Sequence, residues 1–204
     1  CLDEVKELTK ELVKIPSIVK HPGGETEVAK KVYEYYANLP YFKDNPDYLI
    51  LQQTKGDEIE RHNTMAIVKG TKGNSNRTII LMGHIDTVGV DDFGTIKEYA
   101  FDPDKLPDLL KSMNFGEEVN KDIESGEYMF GRGVLDMKSG VAGHMYLIKY
   151  FSEHPEELNG NIIALAECDE EDNSHGIISA LKVFKEGKEK YNLENVAAIN
   201  ADYS

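Results

Sequence analysis

Residues 161–172 read NIIALAECDEED: five apolar residues in a row, Ile162 to Ala166, then five carboxylates in six positions. An apolar run with no polar alternation suits a strand buried on both faces, as in a sheet covered by helices on both sides. The acids that follow impose a second constraint. Carboxylates this close raise one another's pKa values and repel, the more so beside a low-dielectric core. A fold that ends a buried strand in this segment is expected to supply a positive partner there.

The rest of the chain alternates in the same way. Leu2, Val5, Leu8, Leu12 and Val13 recur at helical spacing, and residues 25–38 read as a second helix after the turn HPGGE. Strands are expected at 48–53, 63–70 and 77–84, the last two joined as a hairpin by GTKGNSN. A long acidic excursion from Val88 to about Gly126 follows, of a length that is usually functional or an insertion. Then come YMFGRG as a strand, DMKSGVAGHMYLIKYF as a helix, NIIALAE as a strand, SHGIISALKVFKEGKEK as a helix and NVAAINAD as a strand. This order predicts an α/β fold with a largely parallel sheet.

Composition narrows the partners. Thirty-seven acids against 23 basic residues give a net charge of −14, which repels nucleic acid and anionic membrane surfaces and favours cations or small molecules. No apolar run approaches the ~20 residues that span a bilayer, and a cytoplasmic protein is the default expectation. The only cysteines, Cys1 and Cys168, exclude a disulfide framework. A lipoprotein reading of Cys1 is disfavoured because an amphipathic pattern begins at Leu2 with no spacer.

Ligands of open α/β sheets bind outside the carboxyl ends of the strands, and the reactive side chains of this sequence collect there. RTIILMGHID ends in His84 and Asp86, which share a side of an extended chain. YMFGRGVLD brings Asp136, NIIALAECDEE brings Glu170 and Glu171, and NVAAINAD brings Asp202. One imidazole with several carboxylates suits Zn²⁺ or another first-row dication, whereas Mg²⁺ and Ca²⁺ prefer all-oxygen shells. One such cation would offset the repulsion in ECDEED, and two would do so more fully. Of the neighbours Glu170 and Glu171, one can coordinate while the other acts as general base. Asp86 is placed to accept the second ring N–H of His84.

Three segments, GHIDTVG at 83–89, GRGVLDMKSG at 131–140 and ECDEED at 167–172, together resemble the dinuclear-zinc hydrolase family of acetylornithine deacetylase, succinyl-diaminopimelate desuccinylase, aminoacylase and glutamate carboxypeptidase. The resemblance runs from the first helix to Asp202, and the AFDPDKL excursion is similar to the branch associated with arginine utilisation. It implies a three-layer α/β sandwich of the zinc-exopeptidase kind with a mostly parallel mixed sheet. It further implies two divalent metals, zinc foremost with cobalt or manganese as alternatives. His84 and Asp202 would bind the first, Glu171 the second, and Asp136 both, with Asp86 supporting His84. Glu170 would deprotonate a bridging water that attacks the amide carbonyl of a small N-acyl amino acid or peptide. The family's last metal ligand is a histidine far beyond the equivalent of Asp202, and its substrate contacts and lid or dimerisation domain also come later. Residues 1–204 are therefore expected to form the N-terminal part of a catalytic domain, inactive alone and with apolar surface exposed, and the full-length form is open to homodimerisation.

Plainer readings compete. ECDEED could be a solvated loop in which Asn173 or Ser174 caps the next helix. The whole chain could be a metal-binding module without catalysis. GRGVLD lacks the third glycine of a dinucleotide turn. His144 is expected inside the core, and His21, His62, His154 and His175 receive no role.

Overall fold

The computed structural model describes residues 2–202. Five strands, β1 (Leu49–Gln53), β2 (His62–Lys69), β3 (Arg77–His84), β4 (Asn161–Glu167) and β5 (Glu194–Asn200), form one sheet in the order β1-β2-β4-β3-β5. The sheet is mixed, as expected: β4 and β5 run parallel to β3, while β2 is antiparallel to both β1 and β4. All seven residues of β4 are buried, which its central position requires and which explains its unbroken apolar run.

Alternate residues of β2 and β4 feed two separate cores. Ala66, Val68, Ile162, Ala164 and Ala166 pack under α1 (Leu2–Val13), α2 (Gly24–Ala37) and α6 (Ser139–Glu153). Met65, Ile67, Ile163 and Leu165 face the other way, toward α7 (His175–Lys190) and Tyr191. The result is the three-layer sandwich, with the pleat sorting side chains between layers. The chain leaves β3 through α6 to reach β4, then crosses back through α7 to reach β5 beyond β3. The two crossovers diverge between β3 and β4, and a crevice opens at the carboxyl ends of such a strand pair.

Two expectations fail. Residues 70–76 do not make a hairpin, because β4 inserts between β2 and β3. A Gly- and Asn-rich turn cannot distinguish one interstrand step of about 4.8 Å from two. The most apolar strand takes the central slot, and Gly70 N–H donates to Gly160 O at 2.9 Å to hold the wider loop against the start of β4. Likewise YMFGRG is not a strand. Tyr128 is mostly exposed, and residues 128–130 pair with no strand of the sheet, so strand propensity alone makes no ladder here.

Residues 85–133 run as loops and short helices, including α4 (Leu106–Lys111) and α5 (Glu117–Ser125), anchored by Leu106 and Ile123. Every residue of β5 is exposed, Val196 and Ile199 among them, and Ile178 and Leu181 of α7 are also open. Among the described residues, no helix is long and apolar enough to cross a membrane.

The start of α7 lies directly on the backbone that follows β4. A Cβ on Gly176 would stand 2.2 Å from Cys168 O and 2.8 Å from Cys168 N. Gly176→Ala is therefore expected to force α7 and the 168–175 segment apart at a cost of about 1–3 kcal/mol. Urea denaturation that shows no loss of stability in this variant would contradict the packing.

Candidate metal centre

β3 ends in His84, 1% exposed, with its ring held from both sides. Its Nδ1 lies 3.1 Å from Asp86 O and 3.5 Å from Asp86 Oδ1. Its Nε2 points outward, 2.9 Å from Asp136 Oδ1 and 3.9 Å from both Glu170 Oε2 and Asp202 Oδ1. The expected support from Asp86 thus comes first from its backbone carbonyl. Asp86 itself is fully buried, and its Oδ2 accepts Glu171 N–H at 2.9 Å, joining the β3 end to the loop after β4. Ser17 locks the same stretch from below: its hydroxyl donates to Ile85 O at 2.6 Å, and its carbonyl accepts Thr87 N–H.

Asp136 arrives by an unexpected route. It sits in an irregular turn, Val134–Lys138, between Gly133 and α6, rather than at a strand end. Gly133 has φ 80° and leaves no room for a Cβ, which would stand 2.7 Å from Thr87 Cγ2. The turn is fastened underneath by Lys138, fully buried, whose ammonium donates to Leu12 O at 3.1 Å in the last turn of α1 and to Ile15 O at 2.8 Å just past it. Burial pulls its pKa down to about 7 against the opposing charge of Asp86. Asp136 remains 54% exposed at the mouth.

The donor atoms form two overlapping groups that share His84. One contains His84, Glu170 and Asp202, the other His84, Asp136 and Glu171, each within 4.8 Å. Donors around one tetrahedral Zn²⁺ at ~2.1 Å stand about 3.4 Å apart, so these separations fit with small adjustments. The chemistry also fits: one outward-facing imidazole nitrogen, oriented through its other nitrogen, among four carboxylates. All six residues expected from the sequence meet here.

Electrostatics report the missing positive charge. Burial lowers the pKa of His84, but hydrogen bonding to Asp86 and the charges of Asp86, Glu170 and Asp136 outweigh it and raise the pKa to about 9. Glu171 is raised by burial and by Asp136. Glu167, at the end of β4 and paired in register with His84, is buried and raised to about 7, chiefly by desolvation.

Several residues around the site carried no signal in the sequence. Arg61, 3% exposed, bonds Glu25 and Asp57 and faces Asp169, and His175 Nδ1 lies 2.6 Å from Asp169 Oδ2. Asp169 Oδ2 also accepts His175 N–H, so this acid, not Asn173 or Ser174, caps α7. Arg61 and His62 stand in the polar stretch DEIERHN, which shows neither periodicity nor motif. His144 is in the core, as expected, with burial lowering its pKa to about 4. Cys168 is buried, and its thiol is raised well above the ordinary range.

Residues 80–202 match Peptidase family M20/M25/M40. The chain belongs to this family. It is 39% identical to protein RocB of Bacillus subtilis (strain 168), covering 98% of this chain and 35% of RocB. Against succinyl-diaminopimelate desuccinylase of Psychrobacter sp. (strain PRwf-1) it is 27% identical, covering 90% of this chain and 39% of that enzyme. The chain thus spans little more than a third of these curated relatives. Its backbone resembles the M20 family metallo-carboxypeptidase Sso-CP2 from Sulfolobus solfataricus, with a TM-score of 0.62 and 20% identity over 99% of this chain and 38% of that one. That likeness carries the fold, including the mixed sheet between helical layers.

A metal must displace a proton from His84. Because the folded metal-free pKa is raised, protonated His84 stabilises the metal-free fold fully below about pH 6.5, and this contribution is lost as pH rises through about 9. Apparent zinc affinity is therefore expected to rise by about tenfold per pH unit between 7 and 9 and then level off. Competition titration with a chromophoric chelator reads this directly. A flat profile across that range would contradict a protonated His84 in the metal-free site.

Proposed function

We propose that this chain carries the metal-binding part of a hydrolase that cleaves an amide or peptide bond of a small N-acyl amino acid or peptide. The observation that carries the reading is the outward Nε2 of His84 facing Asp136, Glu170 and Asp202, with its Nδ1 held by Asp86. Family membership and the similarity to a desuccinylase support amide hydrolysis. The 39% identity to RocB supports the branch associated with arginine utilisation.

In this reading His84, Asp136, Glu171 and Asp202 would hold two divalent ions, zinc foremost. Bound zinc supplies Lewis-acid polarisation of the carbonyl and a lowered pKa for water. Glu170 is the base: its carboxylate is 44% exposed and faces the mouth, free to take a proton from the attacking water and deliver it to the leaving amine. Glu171 is fixed through its backbone N–H to Asp86 Oδ2, which ties this segment to the end of β3 while both glutamate carboxylates stay directed at the site.

Glu170→Gln keeps the shape of the side chain and removes the base. In the complete gene product loaded with zinc, it is expected to lower kcat by about 10²–10⁴-fold while leaving zinc stoichiometry unchanged. Plasma mass spectrometry and turnover of a panel of N-acyl amino acids measure both. Unaltered turnover in this variant would end the mechanism, and zinc retention with no turnover in the parent would favour a binding module.

A further inference from the structure

The two glutamates at the centre of the proposed site sit on a loop, and loops hold geometry poorly unless their backbone groups are bonded to something rigid. Residues 168–171 are bonded this way by buried side chains from three other parts of the fold. Asn63 Oδ1, on β2, accepts Cys168 N–H at 3.1 Å. Glu25 Oε1, on α2, accepts Asp169 N–H at 2.8 Å. Asp86 Oδ2, after β3, accepts Glu171 N–H at 2.9 Å.

Of these acceptors, Glu25 is a carboxyl at 1% exposure whose pKa burial raises to about 7 against the opposing pull of Arg61. Arg61 Nε bonds the other Glu25 oxygen at 2.6 Å, Nη1 bonds Asp57 Oδ1 at 2.5 Å, and Nη2 lies 3.2 Å from Asp169 Oδ1. Glu25 therefore bonds the backbone of Asp169, while Arg61 Nη2 faces its Oδ1 as an ion pair without a hydrogen bond. Its remaining oxygens are also used, since Oδ2 takes His175 N–H and the carbonyl takes Ser174 N–H at 2.6 Å. The residue held at so many points has φ 63° and immediately precedes Glu170. A left-handed non-glycine residue persists only where its surroundings over-determine it.

We propose that Arg61 is a positioning residue for the Glu170–Glu171 pair: its guanidinium fork gathers Glu25, Asp57 and Asp169 and thereby sets the backbone from which both glutamates project. The assignment rests on the hydrolase reading for its catalytic meaning, but not for its structural content. Lysine cannot replace the fork, because an ammonium is a point charge and cannot hold three carboxylates in fixed directions.

The test is amide hydrogen exchange on the complete gene product, comparing the parent with Arg61→Met and Arg61→Lys. Exchange at residues 168–175 is expected to quicken at least about tenfold in both variants while β2 and β4 stay protected, which is local loosening rather than global unfolding. In the zinc-loaded protein, kcat is expected to fall by about 10²-fold with KM within about twofold and zinc stoichiometry intact. Unchanged exchange at 168–175, or equal loss across β4, overturns the proposal. Should the Met variant fail to fold, the Lys variant decides by the same criterion. The exchange measurement needs no turnover, so an inactive parent would overturn the hydrolase reading and leave this one standing or falling separately.

Discussion

Like-charge repulsion at the carboxyl ends of β3 and β4 is the constraint on which the rest of this structure depends. One histidine, His84, faces Asp86, Asp136, Glu170 and Asp202, with Glu167 buried beside it. The fold answers with two kinds of positive charge. Arg61 and Lys20 neutralise the flank of the segment, through Asp169 and Asp172 respectively. Among the described residues no lysine or arginine pairs with Asp136 or Glu170 at the centre, and the histidine there has its pKa raised by the surrounding acids. A divalent ion is the partner that this centre accommodates with the largest relief of repulsion.

The sheet explains why the acids can be brought so close at all. β3 and β4 are parallel and adjacent, so the chain leaves both at the same end, and the two crossovers depart in opposite directions. Rigid strands set the positions of His84 and Glu167, while Glu170, Glu171 and Asp202 sit two to four residues beyond the ends of β4 and β5. The anchors are buried and over-bonded; the outward carboxylates are half exposed. Rigidity and access are thereby assigned to different residues of the same segment, as a site that binds ions and admits substrate requires.

Strand identity and the six converging residues were legible because each rests on a local signal. β3 and β4 occur at the bounds their apolar runs predict, and His84, Asp86, Glu170 and Glu171 stand just past them. Strand order was less legible. The turn after β2 reads as a hairpin in sequence, yet β4, 92 positions beyond the end of β2 as counted from Lys69 to Asn161, takes the place between β2 and β3. The route of Asp136 was misread for a related reason: YMF has strand propensity, but propensity is local and no strand of the sheet pairs with it. The Arg61 cluster was invisible because its members, at positions 25, 57, 61 and 169, meet only after the sheet and α2 have formed.

Arg61 and the metal centre solve the same electrostatic problem by opposite means. Around Arg61 the compensating cation is covalent, enclosed, and bonded to oxygens already committed to fixing backbone. Burying such a group is unfavourable unless nearly every donor and acceptor is satisfied, so it belongs where nothing has to move. Around His84 the carboxylates of Asp136 and Glu170 are about half exposed, which leaves them open to an entering ion. Placing the static solution one residue upstream of the dynamic one lets Glu170 remain free at its carboxylate while its backbone is not. That division accounts for a segment of five acids better than metal binding or helix capping does alone, since Asp169 caps and anchors, Glu170 and Glu171 face the ion site, and Asp172 pairs with Lys20.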